Sequence, residues 1–568
     1  MSRSLIQSGS LQTAPDASDF RGSPTKNFLP SRDLPNVLTW LDASTLTGAN
    51  GSDVRRWPDL ATRGQDPSRF TGTCPSLKTN GLNGKNTVVF NGSFFSNPTF
   101  GKAGLGQPNA GWPQPLTMAA VVKFGSAGAT PQPVFGGSTS SPISLQTTTT
   151  GNLQVTAGAT GAVGGPQIND DQFHIVVGAF DPGTAFGMVD GYIVQSTTGG
   201  AQGANVMDQL NVGSGGGSGN FLIGEIAEAI IMADRVPFEK LTALHNYFNT
   251  KWNLGKTIPR QDAVTYMDTI DAASINVRIW APKVKDPSNT LVIWSHQAGG
   301  TETIGTGYSG YPLVHALVNE GYTVIATRQH SDSWGNANAV TDVNNAYTLG
   351  TTMGTVDKVI LIGASMGGLA SSLSVPLSTI PAGKIKGVYG WDAVYDLRTL
   401  YSNATYTAGI NTAHAITAGT LSGATSAGVT SLPTTASFPT IGTQLMVGNG
   451  TANVEVVTTT GASTGTSVAV TALANTHASA DQVSDFPTKT AGRNPVQRTG
   501  SDFAGVRFRF TASTGDVTVP KASNATAFSS LIAASVSEST VVDHPSSHLS
   551  GNGVNPADLI AFTKRCVA

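Results

Sequence analysis

Three rhythms of apolar and polar residues follow one another along the chain. Over about 35–255, short alternating segments such as Asn86-Thr87-Val88-Val89-Phe90, 116–122 and 173–178 are separated by glycine-rich turns. Period-two alternation between turn residues marks strands with one face in a core, so this stretch predicts an all-β sandwich. From about 260 the runs "LVIWSH" (291–296), "YTVIATR" (322–328) and "KVILIGAS" (358–365) are continuously apolar, and the helical patterns "YPLVHALVNEG" and "AVTDVNNAYTLG" lie between them. Fully buried strands alternating with helices predict a parallel sheet covered on both faces. Ahead of it, "AVTYMDTI" and "INVRIWAP" predict an antiparallel hairpin.

The third rhythm interrupts the second. Between Thr399 and Ala480, Glu455 is the single charged residue, and Thr/Val-rich pieces such as 444–447 and 454–457 alternate with glycine turns. A small inserted β-module at 415–485 is predicted, separable from its host because the α/β pattern resumes with "GVRFRFTASTGDVTVP". The α/β domain is therefore expected at 260–414 and 486–568. Residues 1–34 are polar, hold several Pro and Ser, and have no hydrophobic period, so they read as an attachment arm.

Composition narrows the function. A net charge of −2 gives no reason to expect a nucleic-acid partner, and charged residues make up only 12% of the chain. Gly, Ser, Thr and Ala fill the gap, which suits an outward-facing or particle-borne protein. Cys74 and Cys566 lie far apart, which excludes a disulfide framework and any Cys-x-x-Cys metal cluster. No window is apolar enough to predict a transmembrane segment, and the first twenty residues have no stretch that reads as an export signal.

The candidate chemistry centres on "KVILIGASMGGLASSL". Gly363-Ala364-Ser365-Met366-Gly367 joins a buried strand to a helix start, the context in which a strained turn lifts a serine hydroxyl clear of the backbone. Ser365 is the candidate nucleophile. A hydroxyl needs a base, and the base needs an acid to hold its tautomer. Asp516, in "TASTGDVTVP", is the candidate acid and Asp392, in "VYGWDAVYD", its reserve. "VVDHPSSHLSG" offers His548 as base, because it lies in the loop proper, with His544 as the alternative. Oxyanion donors are expected from the backbone N–H of Met366 and from the loop "SHQAGGTE", at Gln297 or Ala298. No metal or cofactor is called for.

Two resemblances extend this reading. "TWLDAS", "RRWPDLA", "NGLNGKNTVVFNGS", "HIVVGAFD" and "IGEIAEAIIMADRVPFEKLTALHNYFNTKW" resemble the concanavalin A-like (LamG-type) jelly roll over 35–255, which implies a glycan-binding or structural module. Trp40, Trp57 and Trp252 read as core residues within it rather than sugar platforms. Elbow, oxyanion loop, acid and base, all present in the family's order, resemble the α/β-hydrolase family, with Gln297 where its His-Gly-Gly loop usually has glycine; this implies ester hydrolysis through an acyl-enzyme. The 415–485 module resembles β-modules of phage tail and adhesin proteins. The combined expectation is a multidomain phage minor tail protein: a serine esterase in the virion acting on an ester or glycan of the host envelope, with other tail proteins as partners and homo-oligomerisation left open. The alternatives are a catalytically silent receptor-binding tail protein and a secreted bacterial esterase with a carbohydrate-binding module.

Overall fold

The computed structural model describes residues 28–568 except 62–65, 69–72, 101–110, 127–129, 139–142, 159–160, 182–183, 199–205, 217–219, 260–263, 304–309, 464–465 and Ser546. The expected arm at 1–34 is described only in its last seven residues, and these belong to the first folded unit. Residues 1–27 lie outside the described residues, but the following seven fold back onto the first unit. Phe28 packs on Tyr247 with ring centroids 5.3 Å apart, Pro30–Asp33 forms one helical turn, and Leu34 is buried. Proline at the first helical position and apolar Phe28 and Leu34 are local features that a polar average conceals.

The first unit holds two antiparallel sheets of eight and six strands. Their inner faces meet in one core, with Met118, Ala120, Val122 and Val176 from the larger sheet against Val134, Leu145, Val155 and Val212 from the smaller. The intervening residues Ala119, Val121, Ile175 and Val177 face the other way and are covered by Leu241, Leu244, Phe248 and Trp252 of the helix Phe238–Trp252. This double coverage explains why strand Leu116–Phe124 is buried nearly throughout. Trp57 and Trp252 are fully buried and Trp40 is 9% exposed. The indole nitrogens of Trp40 and Trp252 each donate to Glu228 at 2.7 Å, so these rings serve the core.

The second unit is built on a sheet of eight strands: β1 Tyr266–Ile270, β2 Asn276–Trp280, β3 Thr290–Ser295, β4 Thr323–Thr327, β5 Lys358–Ala364, β6 Ile385–Trp391, β7 Arg507–Ser513 and β8 Ser539–His544. Their order is β1-β2-β4-β3-β5-β6-β7-β8. β1 and β2 form the antiparallel hairpin, β2 runs antiparallel to β4, and every pairing from β4 to β8 is parallel. Helices α1 (Tyr311–Asn319), α2 (Ala337–Thr352) and α3 (Gly367–Leu377) connect successive strands from β3 to β6. Side-chain alternation along the strands divides the core: Ile293, Ile325 and Leu361 pack with α2, whereas Val292, Val324 and Ile360 pack with α1 and the C-terminal helix Pro556–Val567. A strand apolar on both faces is the consequence, as the continuous runs in the sequence require.

Between β6 and β7 the chain forms helices α4 (Leu397–Tyr401) and α5 (Ala404–His414), then the small strands from Ala418 to Ser484. These strands have their own core of Leu421, Leu432, Leu445, Val447, Val457, Val468 and Val483. Separability is nonetheless incomplete. Ile416 and Met446 belong to the apolar cluster of Met366, Leu369, Leu397 and Phe486, and Phe486 stacks on Tyr401 with centroids 4.2 Å apart. Met446→Ala is therefore expected to cost the α/β unit about 2–5 kcal/mol, because it deletes a buried side chain at a shared face. Denaturant unfolding monitored in both units checks this; an unchanged midpoint for the α/β unit would show that the module folds on its own account.

Candidate active site

The parallel strands deliver their following loops to one edge of the sheet. Register places Ser295 beside Thr327 and Gly363, Trp391 beside Thr511, and Ser513 beside His544. The residues after β3, β5, β6, β7 and β8 thus converge at the C-terminal ends, where open α/β sheets bind ligands.

Ser365 follows β5 at φ +47, a left-handed conformation rare for residues other than glycine. Its N–H donates to Trp391 O at 3.0 Å, and its carbonyl accepts from Gly368 N–H at 2.9 Å and Val394 N–H at 2.8 Å. The flanking glycines are required by space. A Cβ on Gly363 would lie 2.5 Å from Gly367 O, and one on Gly367 would lie 2.2 Å from Ser295 O. Strand, serine and helix α3 are packed backbone to backbone, and this close approach turns the hydroxyl toward the loops of β7 and β8.

His548 receives that hydroxyl. Its Nε2 is 2.9 Å from Ser365 Oγ and its Nδ1 is 2.6 Å from Asp516 Oδ2. Burial pushes the Asp516 carboxyl up, but the His548 bond and the N–H groups of Val519 and Thr518, at 2.9 and 2.8 Å from Oδ1, outweigh it and leave the group below the usual carboxylate range. An ionised carboxylate only accepts, so Nδ1 carries the proton and Nε2 turns its lone pair to the serine. The structure therefore brings Ser365, His548 and Asp516 into one hydrogen-bonded chain. The alternatives pair with each other: His544 Nε2 is 3.0 Å from Asp392 Oδ1.

Met366 heads helix α3, and Gln297 and Ala298 lie in the loop after β3. His296, for which the sequence suggested no role, anchors this loop: its ring nitrogens are 2.6 Å from Gln297 O and 2.8 Å from Arg328 O. Gly299 N–H donates to Asp332 at 2.7 Å, a second anchor from the β4 loop. Gln297 Oε1 is buried without a hydrogen-bond partner among the described residues. A histidine next to the Gln-Ala-Gly-Gly turn was the available signal for the first anchor; Asp332 belongs to another loop and left none.

Among the described residues one group has metal-ligand spacing. Oxygens of Asp392 and Asp516 and a ring nitrogen of His548 lie within 4.8 Å of one another. Hydrogen bonds within the protein already engage these groups. Both cysteines are free, and burial pushes the Cys566 thiol up to about 12, so it is not a nucleophile at neutral pH.

No family model matches the sequence, and no curated protein matches it. Several solved structures are similar. The Pyrococcus furiosus esterase Pf2001 is 11% identical with a TM-score of 0.32, over 54% of this chain and 92% of that one. The esterase domain of a Rhodothermus marinus protein is 13% identical with a TM-score of 0.29, over 53% and 95%. A bifunctional GH43-CE protein of Bacteroides eggerthii is 10% identical with a TM-score of 0.33, over 92% and 73%.

Gly367→Ala tests the elbow. The added methyl group meets backbone rather than a flexible side chain, so a loss of about 1–3 kcal/mol is expected. A variant with wild-type thermal stability would show that the turn can shift to admit a side chain.

Proposed function

We propose that the chain is a serine hydrolase of carboxylic esters with an α/β-hydrolase domain. The carrying observation is the Ser365–His548–Asp516 hydrogen-bonded chain at the mouth of a left-handed elbow. The sheet order and the succession of elbow, acid after β7 and base after β8 support the fold assignment.

In this mechanism Ser365 Oγ attacks the ester carbonyl as its proton passes to His548 Nε2. Asp516 holds the imidazole orientation and stabilises the cation that forms. The oxyanion is received by the N–H of Met366 and by one N–H of the Gln297–Ala298 pair, each donor worth about 3 kcal/mol of barrier. The proton on Nε2 then goes to the departing alcohol, and water repeats the sequence in reverse to free Ser365.

In the same proposal the first unit is a LamG-type jelly roll that acts as a spacer or glycan reader, and the whole chain is a phage tail protein acting on an acyl ester of the host envelope. Its support is the low charge of the chain and the resemblance of the inserted module to tail and adhesin modules.

Wild-type protein is expected to be labelled at Ser365 by a fluorophosphonate and to hydrolyse p-nitrophenyl esters. Ser365→Ala is expected to lose about 10⁶ in turnover with its thermal stability retained. Because the base must be neutral to accept the proton, the rate is expected to fall in acid. An unlabelled wild type, or a Ser365→Ala variant with wild-type turnover, would refute the assignment.

A further inference from the structure

One buried carboxylate beside the site has no part in the triad chemistry. Asp392 follows β6 at φ +43, and its side chain is wholly buried. Oδ1 accepts from Ser513 N–H at 2.9 Å and faces His544 Nε2 at 3.0 Å; Oδ2 accepts from Leu549 N–H at 2.7 Å. These partners come from three segments. Ser513 ends β7, just before the turn that carries Asp516, and His544 ends β8. Leu549 is the residue after His548 and is itself left-handed, at φ +50.

A strand-end aspartate that merely closed a turn would have no reason to reach the base loop. Asp392 grips that loop one residue from the imidazole, and one of its oxygens lies within 4.8 Å of both a ring nitrogen of His548 and an oxygen of Asp516. Two carboxylates thus serve one histidine, one by direct hydrogen bond and one through the adjoining peptide. A buried charge beside a group that becomes cationic acts at low dielectric, where its influence is larger than at the surface.

Resting on the hydrolase reading, we propose that Asp392 is a positioning residue: a second carboxylate that holds His548 toward Ser365 through Leu549 N–H and places further negative charge beside the imidazolium formed during attack. Asp392 takes no proton in this step. The serine proton moves to His548 Nε2, Nδ1–H stays on the ring and donates to Asp516, and Asp392 remains ionised. The titratable groups facing it are His544 at the end of β8, His548 in the base loop and Asp516 after β7.

The test uses the full chain as wild type, Asp392→Asn, Asp516→Asn, the double variant and Ser365→Ala. Turnover of p-nitrophenyl acetate and the rate of fluorophosphonate labelling are measured between about pH 5 and 9. Asp392→Asn is expected to lower kcat about 10- to 100-fold with KM within about 2-fold, and to move the acid limb of kcat/KM to lower pH, because the cationic ring has lost a stabilising charge. Asp516→Asn is expected to retain at least about 10-fold more turnover than the double variant, since one carboxylate still serves the base. Unchanged kcat and an unchanged acid limb in a folded Asp392→Asn protein would overturn the proposal, as would a lowered Tm with wild-type kinetics. If Asp392→Asn does not fold, Asp516→Asn decides alone. Residual turnover with an imidazole-type acid limb is expected, and turnover at the level of Ser365→Ala overturns it. A wild type that fails to label at all removes the hydrolase reading itself, which separates the two failures.

Discussion

The close approach of three backbones around Ser365 is the constraint on which the site depends. β5 ends at Ala364, α3 begins at Gly367, and the carbonyl of Ser295 at the end of β3 leaves no room for a methyl group between them. In that space the serine must turn left-handed, a strain of order 1–3 kcal/mol that surrounding hydrogen bonds have to over-determine. They do so from both sides: Trp391 O from β6 receives the serine N–H, and Val394 N–H from the following loop meets its carbonyl. The elbow is therefore held by β6 as much as by its own strand, and β6 ends in Trp391, immediately before Asp392.

From that point the geometry passes outward through the sheet. β6 pairs with β7 and β7 with β8, all parallel, so each strand ends at a similar height. Asp516 and His548 then need only short loops to reach the serine. The Asp516 turn is closed by its own Oδ1, which accepts the N–H groups of Thr518 and Val519 and leaves Oδ2 for the histidine. Asp516 is thus held by backbone hydrogen bonds on one oxygen and by His548 on the other, and Ser365 by the backbone hydrogen bonds of the elbow.

How local each cause is decided how much of the site was legible in the sequence. The elbow was legible because left-handed geometry and close approach demand small residues in a fixed spacing at Gly363 and Gly367. The strands were legible because burial on both faces needs continuous apolar runs such as 359–362. The partnership of two aspartates with two histidines was a matter of preference, since His544 and His548 lie four residues apart on the same segment. Register separates them: Ser513 pairs with His544, which turns that ring to Asp392 and leaves the next loop to bring His548 over Ser365. No spacing in the chain encodes that pairing. The packed face of Met446 was equally hidden, because a strand residue at 446 reads the same whether its outer side meets water or a neighbouring helix.

That hidden face bears on the role of the insertion. The chain departs from the sheet after β6 and returns before β7, between the strand that braces the elbow and the strand that precedes the acid. Ile416, Met446 and Phe486 share one apolar cluster with Met366 beside Ser365 and with Val519 beside Asp516. A displacement of the module would disturb packing at both ends of the hydrogen-bonded chain, because interiors at native density pass strain on rather than absorb it. The inserted module is in this sense part of the packing that supports the site rather than an appendage beside it.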